Sequence, residues 1–274
     1  MRRIHLFPAA LALLVAGVGS AMAFEPSDIY TSQVVVSGQG EANRLTGFGI
    51  CLERVLTRVT GDVALAGKPE ARAAMRRAAD FVAAYSYRDR LEGRPIHDEQ
   101  GSYDRPHNLT CRFRTAPLDK LIGDLGGKPW LMRRPVLAVI LDVQKPAARY
   151  TVAANNERDL AMRQSFGNAS DLIALDVVFP PETAALNLGA IHLDPASPAM
   201  KAAAEAAGGD LPLVGRLVWS DADHGWVADW ALEQGGAVHH WSVRGVSFDD
   251  AFRTALRGAA RLLSESGEPL ANPP

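Results

Sequence analysis

The segment Val136-Leu-Ala-Val-Ile-Leu-Asp-Val143 constrains the fold more than any other part of the sequence, because its residues are apolar at every position except Asp142. Its length suits a β-strand, and the lack of polar alternation indicates a strand that is buried on both faces. Such a strand belongs at the centre of a sheet, with other elements packed on each side. The segment therefore predicts an α/β fold.

The elements predicted around this strand follow the order β-α-β-α-β-β-β-α. One helix is indicated near 156–166, a second begins at Ser197-Pro198 and ends before Gly208, and the last begins at Ser247. The last three strands are separated by short polar turns, so we expect them to form an antiparallel meander packed by helices. The predicted strands are residues 136–143, 172–179, 211–220, 226–233 and 237–243.

The residues before this segment predict another small mixed α/β domain. A helix whose apolar residues recur at helical spacing is expected to end at Gly61. The other predicted elements are a strand over 29–36, a helix over about 70–86, a loop or hairpin tip over 93–106, a strand over 109–113 and a short helix over 117–125.

The stretch Gly126-Gly-Lys-Pro129 is the predicted domain boundary, because Gly-Gly followed by Pro ends a helix and no periodic pattern crosses it. We therefore expect an N-terminal domain over residues 24–128 and a C-terminal domain over residues 129–264. Residues 265–274 have the composition of a disordered tail.

Residues 1–23 have the pattern of a secretory signal peptide. Arg2 and Arg3 precede an apolar run, and Ala21-Met-Ala23 has the small-x-small pattern that signal peptidase recognises. The alternative is a retained N-terminal anchor, but the apolar run is shorter than the roughly 20 residues of a membrane-spanning helix. We expect cleavage after Ala23, a periplasmic protein, and no membrane span in the rest of the chain.

The charge balance disfavours a nucleic-acid partner. Removal of Arg2 and Arg3 takes the basic residues from 29 to 27 against 31 acidic residues, which gives a net charge of −4. A chain with this balance offers no broad basic surface to a polyanion.

Cys51 and Cys111 are the only cysteines of the chain. In an oxidising compartment an even number of cysteines favours a disulfide bond, here between a predicted helix and a predicted strand. The alternative is two buried thiols, because cysteine is among the most buried residue types.

Several motifs resemble those of one family of exported bacterial proteins. They are the strand ending in Ser37-Gly-Gln-Gly40, Val55-Leu-Thr-Arg-Val-Thr-Gly61, the pair Tyr85 and Tyr87, and the junction from Trp130 to Pro135. On these motifs the chain resembles the family of domain of unknown function 2066 (DUF2066). The resemblance implies export and an α/β fold, and it implies no catalytic residues. At a coarser level, the C-terminal domain is similar to small domains of envelope-assembly proteins, which suggests a protein partner.

Trp130, Arg133 and Arg134 at the domain junction are the first candidate binding residues. Clefts between domains often hold ligands, and Arg beside Trp suits the recognition of anions or peptides. The alternative is that these residues fasten the two domains together. Trp226 and Trp230 lie on one face of a predicted strand, where they could form an aromatic binding platform or simply pack the core.

The sequence predicts no catalytic residues, no metal ligands and no cofactor. Asp221, Asp223 and His224 could bind a divalent cation, but Asp and Gly at this position are also typical of a hairpin turn. The leading hypothesis is therefore a non-enzymatic binding or assembly-support protein with a cell-envelope partner. The alternatives are a hydrolase or metal-dependent enzyme that acts on a cell-wall component, and a carrier of a small ligand.

Overall fold

The computed structural model describes residues 29–93, 105–186 and 194–270. The predicted signal peptide, most of the predicted loop over 93–106 and residues 271–274 lie outside these residues. The described chain forms a mixed α/β fold with eight α-helices and two β-sheets, as the sequence predicted. None of the described helices combines the length and apolar character needed to cross a bilayer.

The first sheet has three antiparallel strands in the order β1-β3-β2: β1 (Thr31–Ser37), β2 (Val82–Asp89) and β3 (Pro106–Phe113). The helices of this part of the chain are α1 (Glu41–Thr60), α2 (Val63–Ala66), α3 (Pro69–Met75) and α4 (Thr115–Asp124). Burial alternates along β1, so Ser32, Val34 and Val36 are buried while the odd-numbered residues are half-buried or exposed.

The long helix α1 forms as its sequence predicts. Phe48, Leu52 and Val55 recur at helical spacing and are buried against the sheet. Gly61 ends the helix in the left-handed conformation, with φ of 71°, and donates its N–H to the carbonyl of Thr57. A residue with a Cβ would be strained at this position.

A disulfide bond joins Cys51 on α1 to Cys111 on β3, with their Cα atoms 6.3 Å apart. Both cysteines are completely buried. The predicted disulfide is therefore confirmed. It links the central strand of the first sheet to the helix that covers it.

The prediction of a helix over residues 70–86 is wrong for the second half of that range. The helix ends at Met75, a short 3-10 turn follows at Ala78–Asp80, and the chain then enters β2. Tyr85 and Tyr87 of β2 pair with β3, whose backbone supplies the hydrogen-bond partners that a helix would have supplied internally. The alanines before Tyr85 suit both structures, and the tertiary pairing decided between them.

The second sheet has the path β5-β4-β7-β8-β9, with the two-residue strand β6 beside β4. Strand β4 is parallel to β7, and the last three strands form the predicted antiparallel meander. The strands are β4 (Leu137–Lys145), β5 (Ala148–Thr151), β6 (Val177–Val178), β7 (Leu211–Ser220), β8 (Gly225–Gln234) and β9 (Ala237–Val246).

Helices cover both faces of this sheet. The helices are α5 (Leu160–Ile173), α6 (Glu182–Leu186), α7 (Pro198–Ala207) and α8 (Phe248–Leu263). On one face, α5 and α8 pack on Val139 and Leu141 of β4. On the other face, Met200 of α7 packs on Ile140 of β4. The central strand is therefore buried on both faces, as its unbroken apolar sequence predicted.

Two predictions for this part of the chain need correction. The strand expected over 172–179 is only Val177–Val178, because α5 continues to Ile173 and Ala174 then turns the chain with φ of 55°. The short strand β5 was not predicted. It is held against β4 by Arg149, which binds the buried carboxylate of Asp142 at 2.8 Å.

The buried side chains form one large cluster between Ile29 and Leu125 and another between Trp130 and Leu262. The two domains proposed from the sequence remain a prediction. The two parts of the chain meet where the C-terminal half of α1 lies against α5 and the end of α8. There Arg261 pairs with Asp62, and the hydroxyl of Ser266 lies 3.4 Å from the carbonyl of Thr60.

Candidate functional site

Trp130 lies at this junction and is buried, with 7% of its surface exposed. Its backbone N–H donates a 2.7 Å hydrogen bond to the carbonyl of Val59 near the end of α1. The guanidinium of Arg134 lies over its ring, 4.3 Å from the ring centroid. Both side chains are thus inside the junction, not on an open cleft as predicted for binding residues.

Arg134 joins the ends of two helices. Its Nη1 donates to the carbonyls of Ile173 at 2.5 Å and Ala174 at 3.0 Å, and its Nη2 donates to the carbonyl of Arg58. These carbonyls lie at the C-terminal ends of α5 and α1, where helix dipoles favour a cation. Burial, and then the nearby charge of Arg58, lower the pKa of Arg134 to about 10. The structure therefore favours the fastening role over ligand recognition for Arg134.

Arg133, in contrast, is exposed. It pairs with Asp210 at 3.1 Å, and the same carboxylate accepts a 2.7 Å hydrogen bond from the N–H of Val136 just before β4. The hydrogen bond from Val136, and then the charge of Arg133, lower the pKa of Asp210. Arg133 is accessible to a partner, but its guanidinium is already paired with an acid.

Trp226 and Trp230 belong to the core. Trp230 is completely buried and packs edge-on against Phe166 and Phe252, and only 8% of Trp226 is exposed. A side chain with no exposed surface cannot stack on a ligand, so the binding role predicted for Trp230 needs correction. The alternation along β8 puts these residues on the face that α5 and α8 cover.

The turn at Asp221, Asp223 and His224 connects β7 to β8. Asp223 accepts hydrogen bonds from Ser220 and Arg244, which lower the pKa of its carboxyl group. Asp221 accepts a hydrogen bond from the indole N–H of Trp219 at 2.8 Å. Nowhere in the described residues do three or more His, Cys, Asp or Glu side chains form a group that could hold a metal ion.

A groove runs along the junction, and its lining residues differ from those that the sequence predicted for a cleft between the domains. We call it the junction groove. Its larger part has a volume of about 880 Å³, and a contiguous part of about 270 Å³ shares Ile50, Arg54 and Leu172 with it. The edge of β1 and helix α1 form one side, and α5 and the start of α8 form the other. The lining residues are Thr31–Val35, Ile50, Glu53, Arg54, Thr57, Arg58, Val63, Asn108, Thr110, Asn168, Ala169, Asp171, Leu172, Ile173, Arg253 and Arg257.

Arginines dominate the charge of the junction groove. Its charged lining residues are four arginines and two acids, namely Arg54, Arg58, Arg253, Arg257, Glu53 and Asp171. Each arginine pair is four residues apart on a helix, so both members lie on one side of that helix. The groove therefore has an excess of positive charge in a chain whose overall net charge is −2.

The arginines are held in place by contacts within the junction. Arg54 donates to the carbonyl of Gln33 at 2.5 Å, and Arg58 donates to the carbonyl of Asp171. Arg253 pairs with Asp250 at 2.6 Å. Burial, and then the charge of Arg253, lower the pKa of Arg257. The carboxylates of Asp250 and Glu53 already offset part of this repulsion.

Sequence reasoning missed this site because each arginine lies off the apolar stripe of its helix. Arg253, Arg257 and Arg261 form a stripe that the sequence alone assigns to a solvated face, with a docking strip for an acidic partner or lipid headgroups as the alternative. In the structure all three are half-buried, and Arg261 pairs with Asp62 of the first part of the chain. The arginines recur every fourth residue in both helices, and this spacing was the sequence signal that could have indicated the site.

Residues 23–131 match the family described as Domain of unknown function (DUF8605). This is a different family from DUF2066, so the resemblance proposed from the sequence was wrong. Two of its motifs have structural roles here: Val55–Gly61 is the end of a helix with a left-handed glycine, and Trp130 with Arg134 packs the junction. No curated protein and no solved structure matches the chain.

Proposed function

We propose that this protein is a non-enzymatic binding module of the cell envelope, and that its junction groove binds an acidic segment of a partner protein. The observation that carries the proposal is the set of four arginines that line one groove. Arginine binds carboxylates through paired hydrogen bonds, and a half-buried site strengthens such contacts relative to water.

The chemical character of the groove lining supports a segment of a partner as its occupant. The lining mixes apolar side chains such as Ile50 and Leu172 with amides and hydroxyls. A polypeptide segment offers both carboxylates and apolar groups along its length, so it complements this mixture.

Export to the periplasm is part of the proposal. The disulfide between Cys51 and Cys111 supports it, because such bonds form and persist in oxidising compartments. Cell fractionation followed by sequencing of the N-terminus provides the test. The proposal predicts a periplasmic protein that begins at Phe24, and a cytoplasmic protein that retains residues 1–23 would contradict it.

Binding is tested by fluorescence anisotropy with a labelled octaglutamate peptide. Arg54→Ala and Arg253→Ala remove one charge from each side of the groove, and each should weaken binding by about 3-fold to 10-fold, because a partly desolvated ion pair contributes about 1 kcal/mol. The affinity should also fall as salt is added, since exposed charges are screened.

Arg72→Ala is the matched control, because Arg72 is exposed on α3 and does not line the groove. It should bind octaglutamate as the unchanged protein does. Equal affinities for all three variants, or no binding of the acidic peptide at low salt, would contradict the proposal.

A further inference from the structure

Among the described residues, strand β1 is at the edge of the first sheet and pairs only with β3. Its other edge faces the junction groove, and Thr31, Gln33 and Val35 are among the lining residues. Helix α5 lies across the groove and contributes Asn168, Asp171 and Leu172. The groove therefore exposes the backbone of a strand as well as arginine side chains.

The hydrogen-bond pattern shows which backbone groups of β1 face the groove. The N–H of Gly38 donates to the carbonyl of Arg105 at 2.7 Å, which continues the register in which Ser37 faces Pro106. Only alternate pairs of an antiparallel ladder exchange hydrogen bonds. The even-numbered residues of β1 therefore bond to β3, and the odd-numbered residues direct their N–H and carbonyl groups away from the sheet.

Two side chains of α1 agree with this assignment. Arg54 donates to the carbonyl of Gln33, and Asn43 donates to the carbonyl of Ser37. Within the described part of the chain, the N–H groups of Thr31, Gln33 and Val35 and the carbonyls of Thr31 and Val35 have no such partner. The edge thus retains free N–H groups at every second residue and free carbonyls at Thr31 and Val35.

We propose that the acidic partner segment binds in an extended conformation and adds a fourth strand to the first sheet along β1. This inference rests on the proposed function and names the conformation of the ligand. An added strand would bond its backbone to the N–H and carbonyl groups of Thr31 and Val35 and to the N–H of Gln33. Its side chains alternate in direction, so every second residue could direct a carboxylate toward Arg54 and Arg58.

A polypeptide backbone is the group that matches this edge. The free N–H groups of β1 recur at every second residue, and another extended chain repeats its carbonyl acceptors with the same period. The arginines then select for acidic side chains, and the main chain supplies hydrogen bonds that do not depend on sequence. Within the described residues β1 has β3 as its only strand neighbour, so no strand of that part of the chain occupies the position of the added strand.

Three octaglutamate peptides test the inference against the full chain. The first is unmodified, the second is N-methylated at alternate residues, and the third is N-methylated at every residue. All three have the same charge. Because an added strand directs only alternate N–H groups to its neighbour, the first two peptides should bind within about 3-fold of each other, and the third should bind at least about 10-fold more weakly.

The outcomes separate the inference from the function on which it rests. Equal binding of the unmodified and fully N-methylated peptides would overturn strand addition and leave the acidic-segment proposal standing, because charge alone would then account for the affinity. A failure of all three peptides to bind would overturn both. A loss of binding with alternate N-methylation would also contradict the inference, because the unmethylated edge of that peptide should still pair.

A variant of the protein gives an independent test. Val35→Pro removes an N–H that faces the groove and leaves the four arginines unchanged, and proline is tolerated at such outward positions of edge strands. It should bind unmodified octaglutamate at least about 10-fold more weakly than Val35→Ala, which also shortens the side chain but keeps the N–H. Unchanged binding by a folded Val35→Pro protein would overturn the inference, and the peptide series decides the matter if that variant does not fold.

Discussion

The guanidinium of Arg134 lies 4.3 Å from the centroid of the Trp130 ring, and it donates hydrogen bonds to carbonyls at the ends of both α1 and α5. One cation thus satisfies backbone groups of two helices from different parts of the chain. The same two helices form opposite sides of the junction groove. The contact between Arg134 and Trp130 therefore sets the geometry of the proposed binding site without touching its ligand.

Replacing Arg134 should destabilise the protein strongly. Arg134→Ala leaves the carbonyls of Ile173 and Ala174 without their donor and removes the group that packs on Trp130. Each unsatisfied buried polar group costs about 1 to 3 kcal/mol, so we expect a loss of about 3 to 5 kcal/mol in the free energy of unfolding. Urea denaturation monitored by circular dichroism measures this free energy.

Arg133→Ala is the control for this prediction, because its side chain is 71% exposed and makes a surface ion pair. It should cost less than about 1 kcal/mol. Similar losses for the two variants would contradict the structural role of Arg134.

Gly215 on β7 should not tolerate a side chain. A Cβ at this position would lie 2.1 Å from the ring of Trp230, which is completely buried and has no room to move. We expect Gly215→Ala to destabilise the protein by about 1 to 3 kcal/mol, the usual cost of overpacking a core. Adding Trp230→Phe should recover part of this loss, which a double-mutant cycle by urea denaturation would reveal.

Gly123→Ala serves as the comparison, because nothing lies within 4 Å of a Cβ at that position in α4. Alanine there should stabilise the protein by about 0.5 to 1 kcal/mol through its helix propensity. If Gly215→Ala had the same effect as Gly123→Ala, the close packing of Trp230 on β7 would be wrong.

The disulfide should contribute substantially to stability. Cys51 and Cys111 are 60 residues apart, and closing a loop of this length stabilises a protein by about 4 kcal/mol in the chain-entropy account. The urea midpoint of the wild-type protein should therefore fall when a reductant is added. The double variant Cys51→Ala and Cys111→Ala should not respond to the reductant, and a wild-type midpoint that does not change would contradict the prediction.

The carboxyl group of Asp210 should make the stability of the protein depend measurably on pH. Its pKa is lowered in the folded state by the hydrogen bond from Val136 and then by Arg133. A lowered folded-state pKa contributes stability above the unfolded value of about 3.9, and this contribution is lost as the pH falls through the folded value.

We therefore expect Asp210→Asn to lower the melting temperature at pH 7, because the neutral amide loses the ion pair with Arg133. The difference from the wild-type protein should shrink as the pH falls below 4 and the wild-type carboxyl group is protonated. Thermal denaturation over this pH range measures it. A difference that stays constant down to low pH would show that charge at Asp210 is not the cause.

The sequence predicted the elements whose signals are local. The unbroken apolar run of β4, the cap at Ser197 and the glycine at the end of α1 each determine their structure through neighbouring residues, and the structure agrees at all three. The sequence assigned residues 82–86 of β2 to a helix because the alanines there fit both periods. Only the pairing of β2 with β3, about 20 residues further along the chain, made it a strand.

The junction groove could not be predicted for a related reason. Arg54 and Arg253 are about 200 residues apart in the sequence, and nothing local to either helix indicates that they line one groove. The packing of α1 on α5 and α8 brings them together, and that packing depends on buried contacts such as those of Arg134. The sequence predicted Trp130, Trp226 and Trp230 as candidate binding residues because aromatic side chains are common both in protein cores and at interfaces.

Peptide binding at the junction groove is the central claim, and a two-dimensional NMR titration of the isotope-labelled protein with octaglutamate tests it most directly. We predict that the backbone amides of Thr31, Gln33 and Val35 shift progressively, together with those of Asn168 and Leu172 on the opposite side. The amides of the hairpin turn at 221–224, far from the groove in the sequence and outside its lining, should stay in place. Shifts confined to other surfaces, or no shifts at saturating peptide, would contradict the account.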